Sequence, residues 1–175
     1  MDIRILSSSL VYQGQAVSIK KEEVELSSGK RIYRETVLHH GASAIIPVMN
    51  NGDIIFVKQY RHPVGEYLLE IPAGTLRRGE DPESCAKREL EEETGYIAGE
   101  LIHLLTIYPS PGYSNEKLHI YLARKLEKSR QNLEADEDIS LVFLNLQEAL
   151  EAIRDRRIVD AKTLVSIFYY SFFVK

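Results

Sequence analysis

One stretch limits what this chain can become: Gly74 to Tyr96, GTLRRGEDPESCAKRELEEETGY. Asp81-Pro82 is a helix-start signal, because aspartate caps free N–H groups and proline suits the first helical position. Gly95 is the matching stop, so the spacing predicts a helix from Pro82 to Thr94. On that helix Glu89, Glu92 and Glu93 stand at i, i+3 and i+4, hence on one face. Cys85, one turn earlier, lies beside the face, while Ala86 and Leu90 point toward a core. Like charges at this spacing cost a helix roughly a few tenths of a kcal/mol per pair. A hard divalent cation reverses that cost, since it takes oxygen ligands and bridges carboxylates to phosphates. An acidic helix face by itself is more often a solvated surface, with Lys87 and Arg88 as local partners. Gly74, Glu80 and Arg88 at fixed offsets from the glutamates turn the reading toward a metal site.

Composition sets outer bounds. At 175 residues, with 44% apolar and 27% charged side chains, the chain is most simply one domain with its own core. A net charge of −4 argues against a general nucleic-acid surface, which needs a basic stripe. No apolar run approaches the ~20 residues that span a bilayer. The opening MDIRILSSSLVYQG has no basic lead before an apolar stretch. One cysteine forms no internal disulfide, and Cys85 reads as a packing residue. The expected compartment is the cytoplasm.

Along the chain, Val17–Lys20, Glu23–Leu26 and Arg31–Leu38 read as strands, with a turn at 27–30. Gly41–Met49 and Ile54–Tyr60 are apolar runs joined by Asn50-Asn51-Gly52-Asp53, a strong hairpin signal. Tyr67–Ile71 is a short strand. After the helix, Leu101–Ile107, Lys117–Leu126 and Ile139–Leu144 read as strands. Asn145 with Glu148 forms a capping-box pattern for a helix to about Arg154, and Asp160 opens a last helix. His39-His40 reads as a strand end, since neighbours on a strand face opposite ways. The order implies α/β (α+β) architecture: a mixed sheet with helices on both faces.

The stretch resembles the Nudix box, the signature of hydrolases that cut nucleoside diphosphates linked to another group. Gly74, Glu80, Arg88, Glu89, Glu92, Glu93 and Gly95 match its specified positions; Leu90 fills the apolar slot, and Tyr96 stands where an aliphatic residue is commoner. The resemblance implies a Nudix-type α/β/α sandwich over 42–175, preceded by an antiparallel β platform over 1–41 that serves dimerisation. Three features outside the box look like ADP-ribose pyrophosphatases. They are Gln59-Tyr60-Arg61 before Leu69-Glu70-Ile71-Pro72-Ala73-Gly74, the loop Ser110-Pro111-Gly112 with Glu116, and Arg34-Glu35 before His40-Gly41-Ala42.

By that resemblance the expected reaction is hydrolysis of ADP-ribose to AMP and ribose 5-phosphate. The expected cofactor is Mg²⁺, with Mn²⁺ or Zn²⁺ as substitutes. Glu89 and Glu93 are the leading ligands, the Ala73 carbonyl completes the shell, and Glu92 is a ligand or an outer carboxylate. Arg88 orients the carboxylates, and Glu80 is a weaker candidate because it precedes the helix. Arg34, Glu35, Arg61, Glu70, Pro111 and Gly112 are expected at the substrate, where arginine matches phosphate oxygens bidentately. The general base is expected in the acidic loop 134–138, as Glu137 with Glu134 in reserve, or within the box itself. The resemblance implies a homodimer intertwined through the N-terminal strands, acting on a small nucleoside diphosphate sugar rather than on nucleic acid or membrane. Other readings are a GDP-mannose hydrolase and a non-catalytic ADP-ribose sensor.

Overall fold

Burial on both sides of one short strand organises the main body. The computed structural model describes residues 3–14, 17–133 and 137–175. Its elements in order are β1 (Ile3–Gln13), β2 (Ser18–Leu26), β3 (Arg31–Leu38), β4 (Ala42–Pro47), β5 (Ile54–Arg61), β6 (Glu66–Glu70) and β7 (Ala73–Thr75). Then follow α1 (Pro82–Thr94), β8 (Tyr96–Ile107), β9 (Leu118–Lys128), β10 (Ile139–Leu144), α2 (Leu146–Arg154) and α3 (Ala161–Phe173). Two compact units result: Met1–Gly41 with Tyr108–Lys117, and Ala42–Ile107 with Leu118–Lys175.

In the second unit every residue of β4 is buried. Side chains alternate across a strand, so β4 serves two cores. Ala44 and Ile46 join Phe56, Ile120, Leu122 and residues of α2 and α3, namely Ala149, Ala152, Ile167 and Tyr170. Ile45 faces the other way, with Tyr121 and Ala123 of β9 and with Ala86 and Leu90 of α1. Helices therefore cover both faces, as the sequence implied. The sheet is mixed: its order is β7-β4-β9-β8, with β4 and β9 parallel. A second sheet, β10-β5-β6, is antiparallel throughout.

The hairpin expected at Asn51-Gly52 forms its turn but not its ladder. The Met49 N–H donates to Asp53 O at 2.8 Å, and a single bridge joins Val48 to Ile54. Beyond it β4 pairs with β7 and β9, whereas β5 pairs with β6 and β10. A strand buried on both faces is satisfied by a central position, and β9 supplies the longer partner. Helix α1 begins and ends as its sequence dictates. Asp81 accepts from the N–H groups of Glu83 and Ser84, Pro82 opens the first turn, and Gly95 closes the helix at φ 72°.

The first unit is a three-stranded antiparallel sheet, β1-β2-β3, with the 108–117 segment attached. The Val37 N–H donates to Tyr113 O at 2.7 Å, and His39 N–H to Asn115 Oδ1 at 2.8 Å. Among its described apolar residues only Val24 is buried; Ile3, Ile5, Leu10, Val11, Tyr12 and Tyr33 are exposed. Strand β1 carries the serines 7–9 and almost no burial, which is why alternation did not announce it. Among the described residues no helix is long and apolar enough to cross a membrane.

Leu90 anchors α1 in its core with Ile45 and Tyr121 and is fully buried. Leu90→Ala is expected to cost about 2–5 kcal/mol. Urea unfolding checks this, with the midpoint falling and the slope unchanged.

Candidate active site

The carboxylates of α1 are placed by three neighbouring pieces of backbone. Strand β7 pairs with β4, which brings Ala73 and Gly74 against the helix. The Ala73 N–H donates to Glu93 Oε2 at 3.1 Å. A Cβ at Gly74 would lie 1.9 Å from Glu89 Oε1, so a larger residue here would push the Glu89 carboxylate aside. Ser43 on β4 donates its hydroxyl to Pro82 O at 2.7 Å and ties the helix start to the sheet.

Arg88 gathers the acidic side chains. Its Nε and Nη2 donate to the two oxygens of Glu80 at 2.8 and 2.9 Å, and its Nη1 to Glu89 at 2.5 Å and Glu92 at 2.9 Å. Glu92 also meets Arg77 at 3.5 Å. The Arg88 hydrogen bonds pull the Glu80 carboxyl down to about 2. Glu80 is thus the arginine's counterion, and Arg88 braces the helix carboxylates.

Glu89 and Glu93 are 8% and 2% exposed. Burial raises the Glu93 pKa from 4.5 to about 8, helped by the charges of Glu89 and Glu137 and opposed by the Ala73 N–H. Burial also raises Glu89, with Glu92 and Glu137 adding to it against the Arg88 bonds. Glu89 is bonded to Arg88 and Glu93 accepts only from the Ala73 N–H among the described residues, so the buried pair is short of positive charge. Such an oxygen-rich, under-neutralised pair fits a hard divalent cation. Glu89 and Glu93 are the carboxylates that could hold it, with Glu92 on the same helix face. Glu137 enters the same field from the loop before β10, and Glu134 lies outside the described residues.

A NUDIX domain profile matches residues 38–164. Over 171 residues the chain is 40% identical to the ADP-ribose pyrophosphatase of Bacillus subtilis, covering 97% of this chain and 92% of that protein. It is also 40% identical over 168 residues to the methanol dehydrogenase activator of Bacillus methanolicus, covering 95% and 91%. The chain belongs to the Nudix family. A Mycobacterium tuberculosis ADP-ribose pyrophosphatase is 34% identical over 95% of this chain and 82% of that protein. A crystal structure of an ADP compounds hydrolase matches in fold, with a TM-score of 0.86 at 23% identity over 98% of this chain and 93% of the other.

Around the Nudix helix, the remaining expected residues fall into two groups. Arg61 lies on β5 and forms a bidentate pair with Glu70, Nε to Oε1 at 2.9 Å and Nη2 to Oε2 at 2.6 Å. Glu70 is 1% exposed and also meets Lys162 of α3. Burial opposes ionisation of Glu70, but Arg61 and Lys162 outweigh it and hold its pKa low. Glu70 therefore aims Arg61 rather than pointing outward. The Glu70 hydrogen bonds raise the Arg61 pKa, and the charge of Glu93 adds to the shift. Lys162 had no local sequence signal, being 92 residues from Glu70.

Arg34 and Glu35 lie exposed on β3, opposite Glu22 and Lys21 of β2. Pro111 and Gly112 are exposed in the segment bound to the same unit, so all four belong to one body. Cys85 is buried, its thiol 3.5 Å from Gly74 O and pushed up to about 11 by burial and the Glu89 charge. It is a packing residue without a nucleophile's thiolate.

The carboxylate pair sets a pH dependence. Glu93 rises from 4.5 unfolded to about 8 folded, so its protonated form stabilises the fold below pH 4.5. That contribution is lost as pH climbs through 8, where the unpaired charge must be buried. Metal-free protein is expected to lose several degrees of Tm between pH 5 and pH 8, and Mg²⁺ to restore more at pH 8 than at pH 5. Glu93→Gln flattens both curves. Thermal melts across this range, with and without Mg²⁺, test it.

Proposed function

We propose that the protein hydrolyses the pyrophosphate bond of ADP-ribose, giving AMP and ribose 5-phosphate, with Mg²⁺ as the preferred ion and Mn²⁺ or Zn²⁺ as substitutes. The observation that carries this reading is the under-neutralised pair Glu89–Glu93, with Glu137 and Arg61 in its field, on a Nudix helix. ADP-ribose is chosen because relatives of that name, from Bacillus subtilis and Mycobacterium tuberculosis, align along nearly the whole chain. GDP-mannose is the second substrate to test, since a GDP-mannose pyrophosphatase of Pectobacterium atrosepticum is 36% identical over 134 residues.

A bound divalent cation neutralises phosphate charge and lowers the pKa of water. The side chains supply the rest. Glu137 accepts the proton of the water that adds to phosphorus, and the bridging P–O bond breaks as the second phosphate departs. Arg61 donates from Nη1 to a phosphate oxygen, held on line by Glu70 and, through it, by Lys162. Arg88 keeps Glu89 and Glu92 in place without meeting the substrate.

A homodimer completes the reading. The exposed apolar residues of β1, from Ile3 to Tyr12, leave the first unit almost without a core of its own. A second copy supplies the missing layer, and Arg34 and Glu35 then serve a substrate site shared between subunits, with Pro111 and Gly112 bordering it. The compartment consistent with this chemistry is the cytoplasm.

With ADP-ribose and Mg²⁺, AMP and ribose 5-phosphate should appear in equal amounts, and a chelator should stop turnover. Glu93→Gln is expected to lower kcat by orders of magnitude. Failure to cleave ADP-ribose while cleaving GDP-mannose would move the substrate, not the reaction.

Arg61→Ala is expected to weaken substrate binding by roughly 1.5–3 kcal/mol, the loss of one charged hydrogen bond. Steady-state kinetics resolve this as a raised KM. A monomer by light scattering at micromolar concentration removes the shared role of Arg34.

A further inference from the structure

The charge of Glu137 reaches Glu89 and Glu93 of α1, a helix to which it does not belong. Two anchors flank Glu137. Upstream, the chain leaving β9 crosses the last turn of α1, where carbonyls lack helical partners. The Ser129 N–H donates to Gly95 O at 2.7 Å and the Asn132 N–H to Glu92 O at 2.9 Å. The Gln131 side chain donates from Nε2 to Glu93 O at 2.6 Å, and the Ser129 hydroxyl to Glu91 Oε1 at 2.5 Å. The last turn of α1 contains no basic residue, so these donors meet the negative end of the helix. Gly95 permits the crossing, because a Cβ there would lie 2.9 Å from the Gln131 backbone nitrogen.

Downstream, the Tyr67 hydroxyl on β6 donates to Asp138 Oδ2 at 2.7 Å. Ile139 then enters β10 opposite Gln59. Glu137 directly precedes Asp138. The backbone anchors at Ser129 and Asn132 survive any side-chain change. Gln131 and Tyr67 are different: each depends on one side-chain group, and Gln131 binds the backbone of Glu93 itself.

We propose that Gln131 and Tyr67 are positioning residues that aim Glu137 at the reacting water. The inference rests on Glu137 being the general base. Neither residue touches substrate in this scheme. Their value lies in the steep cost of misplacing a reacting group, where about 1 Å is worth as much as a hundredfold in rate.

Gln131→Ala and Tyr67→Phe each delete one donor and nothing else of the anchor. Two readouts are taken on the full-length protein: steady-state kinetics on the nucleoside diphosphate sugar that the wild type cleaves, and amide hydrogen exchange of the metal-free form. Each variant is expected to lose about ten- to a hundredfold in kcat, with KM within about twofold. Exchange should quicken in peptides covering 137–139 while the global unfolding midpoint holds. In a Glu137→Gln background neither substitution should lower kcat further. Wild-type kcat in both variants, unchanged exchange, or an undiminished loss in the Glu137→Gln background overturns the proposal. A fully active Glu137→Gln enzyme overturns it too, yet leaves ADP-ribose hydrolysis standing. If ADP-ribose is not cleaved but another sugar nucleotide is, and the variants behave as expected on that compound, the substrate reading falls and the positioning role stands.

Discussion

The buried charge of Glu89 and Glu93 is the constraint to which the rest of the second unit answers. Carboxylates at 8% and 2% exposure are costly unless something compensates. Arg88 compensates in part, and Glu80 holds Arg88 ionised and in line. Gly74 clears room for Glu89, and the Ala73 N–H steadies Glu93. Each position of the motif thus has a separate job around one electrostatic problem. The Nudix spacing is the solution to that problem written along a chain.

A second ion-pair cluster repeats the logic with the opposite sign. Glu70 is buried and holds two cations, Arg61 from β5 and Lys162 from α3. An acid-poor-in-cations pair on α1 and a cation-rich pair around Glu70 share one unit of the fold. A polyanion clamped through a divalent ion needs both.

What the sequence revealed depended on how local the determinants were. Helix α1 was legible to the residue because Asp81, Pro82 and Gly95 act within one turn of its ends. The capping box of α2 at Asn145 and Glu148 was legible for the same reason. Strand β7 went unread because three residues after a proline carry no periodicity, and β8 was read short because Tyr96–Glu100 mixes polar and apolar positions. The expected hairpin failed as a ladder because its turn chemistry was right but burial on both faces claimed β4 for other partners. Within the site, the helix carboxylates and Arg88 could be placed from spacing alone. Lys162 and Gln131 could not, since their partners stand 92 and 38 residues away and no motif links them.

Strand β4 has a consequence for how this chain can vary. All six of its residues are buried, with Ala42, Ala44 and Ile46 facing one core and Ile45 the other. Exchanging one aliphatic side chain for another there perturbs a single contact and leaves the pattern intact. Adding or deleting one residue is another matter, since it turns every later side chain to the opposite face. Ile45 would leave the helix core and its neighbours would crowd into it, with Ala73 and Gly74 shifted along the same edge. The strand therefore works as a ruler of fixed length: tolerant of spelling changes, intolerant of a change in letter count, and it passes that intolerance to the carboxylate pair beside it.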